Sequence, residues 1–544
     1  MGEVNPAFLP MTASKRTIAI ALFWIIGASV ALWWYLLGCK LMWKSNLHWS
    51  EFEKGTTYDQ VFYVKRAAEH ATDEFQHPDI LPRSRMPLYP WFISHFYDGS
   101  KDEVAQFETY KRLNVTISCL ALIAIGVLSV RRLGAFLGAT VVLATAFTFF
   151  LFKAVLVQPE ITFFCLFAFL FLLMIDSLRR PTWKGALGIG IFAGIIHLIK
   201  GSALPSIYLY ALFSGLHALL IIWRNRKSLA TSFWERIKPL NVPAAFAAGF
   251  VAIAGVYMYH SWKFYGSPMY DPNARYYLWG ESPEEMGALQ DTDLAERKPT
   301  LNKFNVKSPL LMKYLEQKWL PDPVRRAELL KLVEEKEYVL LEGEWDILPS
   351  FKNWRATHTM QDAIDRIWNG FMHPQDGLYY HNLTHRNNYF YYVLAFIFGA
   401  AGSLLLMLIF KPKVLWAAIV ENLPSILFAL GSIVGSLVFY AWWAQMSRSN
   451  RFFLTQFLPI LLGGGTIIYW ASRQITWKTF KLPFSEITLP KWLGGFTLPG
   501  PIVLIFVFNV WQTLDNDVRR AGALDQILNK RFPDRTAADF NLVQ

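Results

Sequence analysis

Residues Lys15–Lys40 read KRTIAIALFWIIGASVALWWYLLGCK, and this stretch decides the fold class. Its apolar centre, 17–37, is long enough to cross a hydrocarbon layer as a helix, because about 20 residues rising 1.5 Å each span about 30 Å. Lys15 and Arg16 precede it, and Trp33, Trp34 and Tyr35 lie near its far end, where aromatic rings anchor at membrane interfaces. No small-residue cleavage site follows, so it reads as an uncleaved first transmembrane helix. Similar apolar runs recur at 113–130, 134–152, 156–175, 185–199, 203–223, 242–262, 390–410, 414–440, 452–471 and 497–513. The pattern predicts an all-α polytopic membrane protein with about eleven transmembrane helices. The 414–440 run is long enough to predict a bend at Gly431 or Gly435.

Composition agrees. Of the 544 residues, 53% are hydrophobic and 17% charged, against about 25% charged in soluble domains. The net charge of +12 is scattered over short loops and forms no stripe, which argues against a nucleic-acid partner. It reads as topology-setting charge, with attraction to anionic membrane lipid as a second contribution. The three cysteines, Cys39, Cys119 and Cys165, form no CxxC pair, so neither a disulfide framework nor a structural zinc site is indicated.

Basic residues in alternate loops assign sides. Lys15-Arg16, Arg131-Arg132, Arg179-Arg180, the Arg224–Lys238 loop, Lys411 with Lys413, and Arg473–Lys491 mark the cytoplasmic side. The chain then divides into a cytoplasmic N-terminus (1–16), an N-terminal membrane module (17–262) containing a first outer loop (38–112), a large extracytoplasmic segment (263–389), a C-terminal membrane module (390–513) and an extracytoplasmic tail (514–544). Both outer loops are expected to be partly helical and mixed in structure. Trp43, Trp49 and Phe52 predict an interfacial helix in the first. The second carries a predicted helix at Asp322–Glu337, then a candidate strand at Tyr338–Leu341.

The candidate chemistry lies in and around Tyr58–Pro90, YDQVFYVKRAAEHATDEFQHPDILPRSRMPLYP. Asp59 heads a predicted helix and reads either as a cap or as a general base at the membrane surface. Glu160 follows Pro159 at the lip of a span, either as an acid favoured by the helix dipole or as a functional carboxylate. Lys200 ends the 185–199 span and is either a snorkelling lysine or a phosphate-binding cation. Its removal by Lys200→Ala is expected to weaken binding of a lipid-phosphate sugar with little loss of stability. Arg83 and Arg85 in the first outer loop, and Arg448 and Arg451 in the last, lie on the side that the charge rule does not explain, which points to an anionic ligand. His260 ends the 242–262 span, and a divalent metal held by Asp59, Glu160 and His260 is a further reading; the spacing itself defines no metal motif. No phosphate-binding loop, dinucleotide turn or nucleophile elbow occurs. Asn114-Val115-Thr116 and Asn382-Leu383-Thr384 match the glycosylation pattern without carrying weight.

Five stretches in this order resemble the GT-C superfamily of membrane glycosyltransferases, in particular the branch of the lipid A aminoarabinose transferase and the protein O-mannosyltransferases. They are Asp59–Tyr63, Arg85–Pro90, Lys200-Gly201, Tyr276–Pro283 and Arg451–Pro459. The chain departs from the family pattern at Gln60, where many relatives carry a second acid, at Ile199 in place of Thr, and at Glu281 in place of Asn. The resemblance implies inverting transfer of a sugar from a polyprenyl-phosphate carrier to a glycan, lipid or protein acceptor. It implies Asp59 as base and Glu160 orienting the acceptor or helping to hold a metal. Arg85, Lys200, Arg451 and Arg83 would lie at the donor phosphate, and Tyr63, Tyr89 and Tyr277 against substrate. The active site would face outward, on a bacterial inner or plasma membrane in preference to the endoplasmic reticulum. A lipid-linked-solute transporter and a non-catalytic membrane scaffold are the competing classes.

Overall fold

The computed structural model describes residues 13–45, 58–72, 86–225, 232–265, 268–269, 278–280, 313, 316, 322–335, 351, 354–355, 358–372, 388–444, 453–475, 479–482 and 485–488. Among these the chain is helical, apart from one two-stranded hairpin. Seven helices are long and apolar enough to cross a membrane: Glu103–Lys153, Glu160–Arg179, Gly201–Arg224, Phe233–Lys263, Phe390–Phe410, Leu423–Trp443 and Leu454–Gln474. Trp24–Lys40 and Trp183–Ile199 are shorter apolar helices. The protein is therefore a multi-pass helical membrane protein. The 497–513 run and the 514–544 tail lie outside the described residues.

In chain order the helices are α1 (Ala13–Ser45), α2 (Tyr58–Ala71), α3 (Leu88–Ser94), α4 (Glu103–Thr145), α5 (Glu160–Arg179), α6 (Trp183–Ile199), α7 (Leu204–Asn225), α8 (Phe233–Ile237), α9 (Asn241–Tyr265), α10 (Pro323–Glu335), α11 (Met360–Met372), α12 (Asn388–Phe410), α13 (Pro412–Glu421), α14 (Leu423–Ala444) and α15 (Phe457–Gln474). Strands β1 (Thr479–Leu482) and β2 (Ser485–Thr488) pair antiparallel, with Lys481 opposite Glu486. Helix α10 falls inside the predicted Asp322–Glu337. The candidate strand Tyr338–Leu341 lies outside the described residues.

Helix starts follow local chemistry. Asp102 accepts from Ala105 N at 2.7 Å ahead of α4, and Thr182 accepts from Gly185 N at 3.2 Å ahead of α6. Ser232 and Glu235 form a reciprocal capping box on α8. Inside α4, Gly134 adopts φ +76°, a conformation that favours glycine. A Cβ on Gly138 would fall 2.6 Å from Val130 N, and one on Gly126 would fall 3.4 Å from Val142 Cγ2. Residues sixteen apart in a straight helix are separated by about 24 Å. The chain therefore reverses at Gly134, and the 113–130 and 134–152 runs lie side by side.

The bend expected at Gly431 or Gly435 is elsewhere. Helix α14 runs unbroken through both glycines, and the break falls at Asn422, between α13 and α14. Pro424 explains it: a proline lacks the N–H for an intrahelical bond, and its ring crowds the carbonyl four residues back.

The core is built around α5. Two-thirds of its apolar window is buried, as is that of the Leu454–Gln474 helix (67% each), against 28% for most of the other long helices. Phe163 and Phe167 stack, with centroids 5.6 Å apart, and Phe171 meets Phe428 of α14 at 5.5 Å. The outer helices carry large exposed apolar side chains, such as Leu120 (62%) and Phe398 (68%). Water disfavours such a surface, and lipid tails cover it. Helices α6 and α9 approach closely through small residues: a Cβ on Gly190 would lie 2.1 Å from Phe246 O, and one on Gly249 would lie 2.3 Å from Leu187 O.

Long-range contacts fix which helix ends share a face. Ser425 at the start of α14 donates to Ile175 O near the end of α5 at 2.9 Å, so these helices are antiparallel. The end of α14 thus lies on the same face as the start of α5. Trp43 near the end of α1 donates to Glu108 Oε2 near the start of α4 at 2.7 Å. Arg132 pairs with Asp176 at the opposite end of the bundle.

Candidate functional site

Glu160 is the first residue of α5, directly after Pro159, where a carboxylate is favoured by the helix dipole. Lys200 follows the last residue of α6 and has an extended backbone (φ −157°, ψ 124°) that ends the helix. Helices α5 and α6 form an antiparallel pair, so the start of one meets the end of the other. Lys200 Nζ lies 2.9 Å from Glu160 Oε1. The Glu160 side chain is 5% exposed and the Lys200 side chain 18%. The ammonium also sits over the rings of Phe163 and Phe164, 5.6 and 5.7 Å from their centroids. A desolvated cation is held well by a carboxylate on one side and ring faces on the other.

A cap built from the residues between α1 and the first turns of α4 closes over this end. Its core joins Tyr63, Val64 and Ala67 of α2 to Tyr89 and Ile93 of α3, Phe107 and Tyr110 of α4, and Val157 of the turn before α5. Tyr63 and Tyr89 meet edge to face, with centroids 5.2 Å apart. The Tyr89 hydroxyl donates to Asn114 Oδ1 at 3.0 Å, and Asn114 Nδ2 donates to Leu156 O. Burial pushes the Tyr89 hydroxyl well above its ordinary pKa. Gln60 Oε1 accepts from Val157 N at 2.8 Å. The turn at 156–157 thus has its backbone groups satisfied by amides from α2 and α4, as buried polar groups require. A Cβ on Gly201 would lie 3.0 Å from Met86 Cε, so the chain just after Arg85 packs on the residue just after Lys200.

The structure brings several expected residues together. Glu160, Lys200, Tyr63 and Tyr89 share one end of the bundle, and Asp59 is the second residue of α2 in the cap above them. The Asp59 side chain, and Arg83, Arg85, Tyr277, Arg448 and Arg451, lie outside the described residues. Tyr63 and Tyr89 are 6% and 2% exposed, so in this structure both serve as packing residues of the cap. Asn114 is 4% exposed inside α4 with its amide engaged, which removes it as a glycosylation acceptor. His260 is half-buried in α9, its ring 5.8 Å from that of Tyr259. A divalent ion fits Glu160 poorly, because the Lys200 ammonium already stands beside its carboxylate. No group of three or more His, Cys, Asp or Glu that could hold a metal occurs among the described residues.

Other members were not foreseen. Gln60, expected as the position of a missing second acid, is a fully buried structural amide. Phe163 and Phe164 carry no sequence signal that separates them from the other apolar residues of the 156–175 run. An aromatic cluster also sits at the end of α14, on the same face. There Trp442 Nε1 donates to Leu278 O at 2.5 Å, and its ring lies 5.0 Å from that of Trp354 and 6.0 Å from that of Trp279. Arg366 of α11 stacks 4.5 Å over Trp442 and donates to its carbonyl at 3.1 Å. Leu278 and Trp279 belong to the Tyr276–Pro283 stretch singled out above, and these two residues dock on the face that holds the ion pair. Neither family models nor curated proteins nor solved structures show a match to this chain.

Proposed function

We propose that the protein is a membrane glycosyltransferase with a GT-C-like arrangement of about eleven spans, moving a sugar from a polyprenyl-phosphate carrier to an acceptor on the extracytoplasmic face. The observation that carries this reading is the buried Lys200–Glu160 pair at one end of the bundle, beneath the cap that bears Asp59. An ammonium held at the membrane lip between a carboxylate and two rings is suited to take over a phosphate's charge as a donor enters, with Glu160 keeping Lys200 in place until then. In the transfer, the acceptor oxygen bonds to the anomeric carbon as the bond from that carbon to the phosphate oxygen breaks. Asp59 takes the acceptor's proton, and Lys200 with Arg83, Arg85 and Arg451 bears the charge left on the lipid phosphate. Tyr277 stays a candidate substrate contact.

The test is lipid and glycan mass spectrometry on cells lacking the chain, complemented with wild type or Asp59→Asn. Loss of one sugar from a glycan, with build-up of its lipid-linked donor, restored by wild type and not by Asp59→Asn, is expected. Full restoration by a folded Asp59→Asn protein would remove the base. An unchanged glycan and lipid profile on deletion would remove the transferase reading.

A further inference from the structure

The opposite end of the bundle holds a cavity of about 630 Å³, bounded by the end of α5, the start of α6, the last turns of α7, and the α8–α9 junction. Its volume lies within the about 300–1,000 Å³ range usual for small-molecule sites. Leu178, Pro181, Ala218, Ile221 and Val242 make the walls apolar. Lys184 and Lys238 also line it. Both are exposed, and neither makes an ion pair among the described residues. Glu235 is the acid on the lining, and its carboxylate accepts from Ser232 N at 3.3 Å in the capping box of α8. The surrounding surface carries Trp183, Phe233 and Trp234, exposed at 52%, 67% and 75%. Large aromatic rings gathered at the end of apolar helices are characteristic of the headgroup level of a membrane. The cavity therefore combines an apolar interior, two cations without a carboxylate partner among the described residues, of which Lys184 lies 5.7 Å from the Trp183 ring centroid, and a place at the lipid–water boundary.

We propose that this cleft binds one anionic phospholipid, with an acyl chain against the α5, α7 and α9 walls and the phosphate between Lys184 and Lys238. The apolar walls exclude a free inorganic anion as the natural occupant, since such an ion gains nothing from them. A zwitterionic lipid would place its headgroup ammonium beside two lysines, which is unfavourable. The site is separate from the Lys200–Glu160 end: Lys184 and Lys200 lie at opposite ends of α6, about 24 Å apart along the helix. It stands whether or not the protein transfers a sugar.

Native mass spectrometry of the purified full chain, titrated with dioleoyl phosphatidylglycerol or dioleoyl phosphatidylcholine, tests this. Wild type is expected to retain one phosphatidylglycerol at collision energies that strip phosphatidylcholine. Lys184→Ala with Lys238→Ala should lower that retention by at least about tenfold, from the loss of two surface cations. Lys413→Ala removes a cation outside the cleft and should change nothing. Ala218→Trp fills the cleft at constant charge and should also lower retention, which separates a bound lipid from general surface attraction. Equal retention of the two lipids by wild type overturns the proposal, as does wild-type retention by the double lysine variant. Displacement of phosphatidylglycerol by millimolar inorganic phosphate overturns the lipid assignment.

Discussion

At the scale of single residues, pairing alters what a substitution does. Lys200 viewed alone suggests that Lys200→Ala weakens donor binding and leaves stability intact. The ion pair with a 5%-exposed Glu160 changes that expectation. Removing one partner strands a buried charge, which costs about 3–5 kcal/mol. Lys200→Ala is therefore expected to lower the unfolding midpoint, and Lys200→Met combined with Glu160→Gln to recover most of it. Only the loss of donor affinity should persist in the double variant. A single Lys200→Ala as stable as wild type in detergent unfolding would contradict the pairing. Gln60 gives a second case. Gln60→Ala leaves Val157 N without its acceptor, at a cost of about 1–3 kcal/mol. His70 on α2 has its pKa lowered from 6.5 to about 4, by burial first and by nearby Arg66 second. The folded cap thus disfavours the charged ring. Its contribution is fully present above pH 6.5 and is lost as the pH falls from 6.5 through 4. His70→Gln should flatten that acid limb of the stability profile, measured by tryptophan fluorescence, and an unchanged limb would place the titration elsewhere.

At the scale of elements, the parts legible in the sequence are those set by local pattern. Helices α5, α7 and α9 fall where apolar runs of about twenty residues predict them, α6 where the shorter 185–199 run does, and Arg131-Arg132 marks the reversal at Gly134. The break in the 414–440 run falls at Asn422 and not at Gly431 or Gly435, because Pro424 removes an intrahelical bond that a glycine keeps. Pairing across the chain was not legible. Glu160 and Lys200 each stood out, yet their contact depends on how α5 packs on α6, and the roles of Gln60 and Asn114 depend on a turn that neither adjoins in sequence. Close helix packing has the same long-range character. A Cβ on Gly249 would meet Leu187 O at 2.3 Å, whereas one on Gly188 would meet nothing within 4 Å. Gly249→Ala is therefore expected to destabilise by about 1–3 kcal/mol, as overpacking does, and Gly188→Ala to be neutral. Resistance to denaturant in mixed micelles reads the difference, and a Gly249→Ala protein as stable as Gly188→Ala would argue that close approach at Gly249 does not limit this pair, since helix propensity alone favours Ala at both sites.

At the scale of the whole molecule, the side-to-side arrangement rests on two independent lines that agree. Basic loops assign Arg179-Arg180 to one side and the Tyr58–Pro90 loop to the other. Antiparallel contacts, Ser425 with Ile175 and Lys200 with Glu160, put the start of α5, the end of α6 and the end of α14 on one face without reference to charge. The arrangement therefore predicts side-specific labelling. Ser100 just ahead of α4, Asn369 of α11 and Arg180 are all exposed, while native Cys39 and Cys165 are buried and Cys119 is half-buried, which keeps background reaction low. In intact cells, a membrane-impermeant maleimide should label Ser100→Cys and Asn369→Cys alike. Arg180→Cys should react only after the membrane is opened. Reaction of all three from outside, or of Ser100→Cys and Asn369→Cys from opposite sides, would break the shared face on which the Lys200–Glu160 pair, the cap and the Trp442 cluster lie.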